Sequence, residues 1–119
     1  MKKRLAAFRY AFQGILHGCK TEMHMRIHVA ATALVIGLGF FFHVSAWEWC
    51  VLVLCMGFVI SAELLNAAIE RLSNRITTEH DSLIGQAKDL AAGAVLIASL
   101  SALVAGIIIF LPRIWLLCC

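Results

Sequence analysis

No fixed charge lies between Arg26 and Glu48, only Glu63 between Trp49 and Ile69, and none between Asp89 and Pro112. Each stretch reaches the roughly 20 apolar residues a helix needs to cross a bilayer's hydrocarbon core. Each also lacks the polar face that a helix in a soluble bundle turns to water. The pattern predicts an all-α membrane protein, a single domain over residues 1–119, with transmembrane helices at 27–47, 49–69 and 90–111. Ahead of them, Leu5, Phe8, Phe12 and Ile15 recur at helical spacing, with Arg4, Gln13, His17 and Lys20 largely elsewhere around the wheel. This predicts an amphipathic helix within 1–26, lying on the membrane surface and weakened by Gly14 and Gly18. A tight turn near Ser45-Ala46 joins the first two spans, with Trp47 and Trp49 suited to the interface. The second span continues as helix past the membrane edge through Glu70-Arg71-Leu72. Residues 73–86 form a polar connection, and the third span is expected to stop near Pro112.

At 62% hydrophobic and 14% charged, the chain falls outside the balance of soluble globular domains. The charges fix an orientation. Lys2, Lys3, Arg4, Arg9, Lys20 and Arg26 precede the first span, and Arg71, Arg75 and Lys88 lie between the second and third. The outer turn has no basic residue and the tail has only Arg113. By the positive-inside rule the N-terminus and the 71–89 loop are cytoplasmic. A net charge of +3 is met by contact with anionic lipid and calls for no nucleic-acid partner. The first apolar run begins too late, behind a charged segment, for a cleavable signal peptide.

Several features read as packing. The five cysteines have no metal-ligand spacing. Cys50 and Cys55 serve as small hydrophobes within a span, and the Cys118-Cys119 pair forms no prenylation box. His24 and His28 stand at i, i+4 without a third ligand, and His43 falls in the outer turn. No GxxxxGK[ST] loop occurs, and Gly37-Leu38-Gly39 lies inside an apolar span. Ala94, Ala98, Ala102 and Gly106 form a small-residue stripe that lets another helix approach. Three helices barely enclose a polar site, which points to an oligomer.

Chemistry gathers at the cytoplasmic edge. Glu63 follows fourteen residues without a charge, and an ionisable group inside a span is a functional hypothesis by default. Asn66 and Glu70 follow at i+3 and i+7, on the same helix face. Lys88 and Asp89 stand just before the third span, and Glu22 just before the first. Solvation of helix ends accounts for Lys88 and Arg71, but less well for a three-residue polar stripe reaching toward the bilayer. Carboxylates of this kind suit Mg²⁺, which binds through one or two of them plus substrate phosphates.

Two motifs then carry a resemblance. Glu63-Leu64-Leu65-Asn66-Ala67-Ala68-Ile69-Glu70, followed by Ala87-Lys88-Asp89-Leu90-Ala91-Ala92-Gly93-Ala94-Val95-Leu96-Ile97, resembles the signature of the prokaryotic diacylglycerol kinase family, which includes undecaprenol kinases. Phe8-Arg9-Tyr10-Ala11-Phe12-Gln13-Gly14, with Glu22 and Arg26-Ile27-His28, is similar to the undecaprenol-kinase branch. The resemblance covers nearly the whole chain. It implies a homotrimer in the bacterial cytoplasmic (inner) membrane, with composite sites at subunit contacts. It implies ATP and Mg²⁺, and a lipid alcohol (diacylglycerol or undecaprenol) as phosphate acceptor. By that match Glu63 stands at the catalytic base, Asn66 supports it, and Glu22 and Glu70 hold the metal. Lys3, Tyr10, Glu22, Glu70, Glu79, Lys88 and Asp89 fall at positions that contact ATP. Two departures stand out: Asn74 where the family usually has aspartate, and Glu79-His80-Asp81 where Glu-Tyr-His is common.

Two rival readings follow from the same residues. A small proton-coupled transporter would use Glu63 as its carrier, but would want it deeper and, in small multidrug transporters, a fourth span. A catalytically weakened family member is the other, motivated by the lost charge at Asn74.

Overall fold

The computed structural model describes residues 1–119 as four helices: α1 (Lys2–Thr21), α2 (Met23–Phe41), α3 (Ala46–Ile76) and α4 (Ser82–Cys118). By length and composition α2, α3 and α4 can each cross a membrane, so the all-helical, three-span expectation holds. Gly14 and Gly18 do not interrupt α1. Gly18 is buried because α1 meets α3 there: a Cβ would lie 3.0 Å from the Leu64 side chain. The break between α1 and α2 falls at Glu22, in extended conformation (φ −104°, ψ 118°).

α2 starts four residues ahead of the first expected span and ends at Phe41. It closes with a left-handed residue, His43 (φ 52°). The Val44 N–H donates to Gly39 O (3.2 Å) and the His43 N–H to Phe40 O (3.3 Å), the two bonds of a Schellman closure. Two residues later Ser45 starts α3 through a capping box. The Glu48 N–H donates to Ser45 Oγ (3.2 Å), and the Ser45 N–H donates to Glu48 Oε1 (2.9 Å). Gly39 has no room for a side chain, since a Cβ would lie 2.5 Å from the Trp49 ring. Around this turn sits the main apolar cluster, Val44, Leu52, Ile109 and Phe110.

α4 does not stop at Pro112; it runs on to Cys118. Proline removes one backbone donor and strains one turn, and here side chains hold the segment beyond it. The Arg113 guanidinium donates to Ile109 O within its own helix. It also grips Glu48 of α3 as a fork, at 2.7 Å to Oε1 and 2.8 Å to Oε2. Such bidentate pairs are among the stronger polar contacts.

Elsewhere the chain encloses little. Only 12 of 119 residues are buried, and the Cα radius of gyration is 17.5 Å against about 13.5 Å for a compact domain of this length. Lipid solvates apolar side chains, so a spanning helix has no need to bury them in protein.

The Arg113 fork, helped by the Ser45 N–H, lowers the Glu48 pKa from 4.5 to about 2. A carboxylate depressed in the folded state contributes stability that is complete above pH 4.5 and is lost as pH falls toward 2. We expect the melting temperature of the detergent-solubilised protein to fall across that window. Glu48→Gln should start lower at neutral pH and fall less. We also expect Gly39→Ala to cost about 1–3 kcal/mol in equilibrium unfolding, the usual range for overpacking. Gly37→Ala, with nothing within 4 Å of its Cβ position, should be neutral or stabilise by up to about 1 kcal/mol through helix propensity.

Candidate active site

Glu63 is the one buried carboxylate of the chain, 4% exposed on α3. The α2 side chain His28 covers it, with Nε2 3.6 Å from Glu63 Oε2. That separation is beyond hydrogen-bond length and is an ion contact when the imidazole is protonated. A carboxylate enclosed this closely is costly unless paired or used.

Asn66, one turn on, faces different surroundings. It lines an apolar groove of about 730 Å³ between α3 and α4, bordered by Cys55, Phe58, Ala91 and Ala98. Its Oδ1 is buried with no hydrogen-bond partner. Glu70 is exposed. Helical periodicity puts the three on one face, but packing divides them: α2 covers the first, the α3–α4 groove takes the second, and the third projects beyond both.

Glu22 uses its break in the chain to reach α3. Its Oε1 accepts from Arg71 at 2.8 Å, and Thr21 Oγ1 accepts from the same guanidinium. Arg71 thereby ties the α1–α2 junction to α3. It also borders a groove of about 480 Å³ between α1 and α3, with Tyr10 and His17 on the opposite wall. Tyr10 is thus brought near the Glu22–Arg71 junction.

Lys88, half-buried on α4, donates from Nζ to Asn74 Oδ1 on α3 at 2.8 Å. Asn74, set in the sequence against an expected aspartate, thus holds the lysine through a neutral acceptor. Asp89 is exposed at the edge of a shallow groove with Gln86 and Gly93. Lys3 on α1 and Glu79 in the α3–α4 loop are exposed and make no ion pair. In that loop Asp81 caps α4, accepting at Oδ1 from the Leu83 and Ile84 N–H groups at 3.0 Å.

One chain therefore assembles Glu22 with Arg71, Tyr10 near that junction, Lys88 with Asn74, and Glu63 with His28. It does not bring Glu22, Glu63 and Glu70 into a single cluster: no three His, Cys, Asp or Glu side chains are grouped closely enough to hold a metal. Two side chains in these contacts, Arg71 and His28, were named in the sequence but given no place among the candidate site residues. Arg71 resembled an ordinary helix-end charge. His28 carried a faint signal, being one of two titratable groups in the charge-free stretch after Arg26.

Comparison with known proteins bears on these residues directly. The profile described as "Prokaryotic diacylglycerol kinase" matches residues 9–110, a range that holds every candidate site residue except Lys3. An undecaprenol kinase of Bacillus subtilis (strain 168) is 39% identical over 108 residues, covering 91% of this chain and 88% of its own. A diacylglycerol kinase of Synechocystis sp. is 36% identical over 109 residues, 91% of this chain and 62% of its own. A diacylglycerol kinase of Escherichia coli (strain K12) is 31% identical over 100 residues, 84% of this chain and 82% of its own. On the extent of these matches, the chain belongs to the prokaryotic diacylglycerol kinase family.

Proposed function

We propose that this lipid kinase transfers the γ-phosphoryl group of ATP to the hydroxyl of a membrane lipid alcohol, diacylglycerol or undecaprenol, at the cytoplasmic face of a bacterial inner membrane. The observation that carries the reading is Glu63, an enclosed carboxylate on a spanning helix in a chain of this family. Glu63 accepts the hydroxyl proton as the lipid oxygen bonds to the γ-phosphorus. The bond to the β,γ-bridging oxygen breaks, and its electron pair leaves with ADP. The proton then passes to water. The lipid reaches this carboxylate through the membrane and ATP from the cytoplasm, so the base belongs at the boundary between them.

Lys88 meets the phosphates, and Lys3, Tyr10, Glu79 and Asp89 complete the ATP contacts. The oxygen donors fit a hard cation: Glu22 and Glu70 are carboxylates and Asn66 Oδ1 is a buried acceptor with its lone pairs unused. Glu22 and Glu70 would hold Mg²⁺, whose contribution when bound is to offset phosphate charge. A neighbouring copy in a homotrimer supplies the remaining side chains of a composite site. Segments 27–47, 49–69 and 90–111 span the bilayer and α1 lies along its cytoplasmic surface, with the N-terminus in the cytoplasm. The Phe8–Gly14 pattern and the 39% identical undecaprenol kinase favour undecaprenol of the two lipids. Phosphorylation of both lipids side by side by the purified protein decides between them.

Glu63→Gln should lower kcat by about 10²–10⁴-fold, the contribution of a general base, with KM for ATP nearly unchanged. Phosphorylation at the parent rate would remove the assignment. Asn74→Leu releases the Lys88 tether and should raise KM for ATP about 2- to 5-fold, equivalent to the 0.5–1 kcal/mol of an ordinary net hydrogen bond. Its KM for lipid should stay unchanged.

A further inference from the structure

An imidazole in the second turn of a helix long and apolar enough to span calls for a polar partner. His28 has one neighbour that supplies it. Its side chain is 21% accessible, while that of Glu63 is 5% accessible, and the two meet at 3.6 Å. No other basic side chain lies within ion-pair distance of Glu63. His28 also lines an apolar groove of about 590 Å³ formed by α2, α3 and α4, with Ile27, Ala31, Met56 and Val59 among its walls. Glu63 does not reach that groove. The imidazole therefore stands between the carboxylate and the groove, in contact with both.

We propose that His28 is the positioning residue of Glu63: Nε2 faces Oε2 and fixes the carboxylate, leaving Oε1 to meet the lipid hydroxyl. This rests on the reading of Glu63 as the base. To face a carboxylate Nε2 carries a hydrogen, an assignment made from its partner. The 3.6 Å contact is longer than a hydrogen bond, and catalytic hydrogen bonds are often long before substrate binds and tighten with it. A glutamate turns about three side-chain torsions, and a misplacement of about 1 Å at a reacting group costs on the order of 10²-fold in rate. A single N–H on one oxygen removes most of that freedom. The proton moves from the lipid oxygen to Oε1, and His28 neither gains nor loses one.

Four variants in the full-length purified protein test this: His28→Met, His28→Gln, Glu63→Gln and the double variant His28→Met/Glu63→Gln. Methionine fills the site without an N–H, whereas glutamine restores one at similar reach. We expect His28→Met to lower kcat by about 10- to 100-fold with KM for ATP within about twofold, and His28→Gln to recover most of the loss. Adding His28→Met to Glu63→Gln should change the residual rate by less than about twofold, because residues acting as a unit are not additive. Parent kcat in His28→Met, no recovery in His28→Gln, or losses that multiply would each overturn the proposal. His28→Leu stands in if the methionine variant does not fold, and a chain that folds with neither residue assigns His28 to stability and likewise overturns it. The two readings fail separately. An active Glu63→Gln removes the base, whereas an inactive Glu63→Gln beside a fully active His28→Met removes only the positioning role.

Discussion

Polar contacts at the two ends of α3 and α4 hold the register on which the site depends. Within a bilayer, apolar side chains gain nothing by leaving lipid for protein, so two spanning helices can slide at small cost unless something fixes them. Here Arg113 grips Glu48 at one end and Lys88 reaches Asn74 at the other. Between these contacts α3 runs 26 residues and α4 runs 25, about 39 and 38 Å at 1.5 Å per residue. The lengths match to within one residue, as antiparallel helices locked at both ends require. They also approach the 40–45 Å of a bilayer with its headgroups, which puts each contact where water or headgroups reach it.

That register decides how deep Glu63 lies. Fifteen residues separate it from Glu48, about 22 Å along the axis. A hydrocarbon core of about 30 Å that begins at Glu48 or within a turn beyond it ends near residues 68–72. Glu63 then falls one to three turns inside the far boundary, too deep to be left facing lipid. The fold answers with α2, which lays His28 over the carboxylate. Arg71 holds α2 in place at its start, through Glu22 and Thr21. A structural contact and a candidate metal ligand are thus the same side chain.

The architecture was legible because absence of charge over about 20 residues is a strong one-dimensional signal. The turn was legible in outline from Trp47, Trp49 and Ser45. Continuation of α4 through Pro112 was not, since it depends on Arg113 meeting Glu48, 65 positions away. The candidate site was legible in its residue types but not in its grouping. Periodicity correctly set Glu63, Asn66 and Glu70 along one helix face, but it carries no information on which neighbouring helix covers each. His28 and Arg71 gained their importance only from such neighbours. Asn74 looked like a lost charge in the sequence, whereas in the structure its Oδ1 accepts from Lys88.

Exposure of apolar side chains says little about assembly in a lipid setting, so the polar atoms are the more informative ones. Most large hydrophobic side chains of the chain are exposed. In water that would demand a partner protein; in a bilayer lipid suffices. Lipid cannot satisfy a lone pair. Asn66 Oδ1 is buried without a donor, beside an apolar groove, and an uncompensated acceptor of this kind costs about 1–3 kcal/mol. Glu70, on the same helix, presents a carboxylate that makes no ion pair within the chain. Both oxygens lie on the stretch of α3 that also carries Glu63, whereas at the other end of the bundle Glu48, Ser45 and Arg113 satisfy one another. The chain thus satisfies its polar groups within itself at the Glu48 end, and at the Glu63 end it leaves Asn66 Oδ1 without a donor and Glu70 without an ion pair.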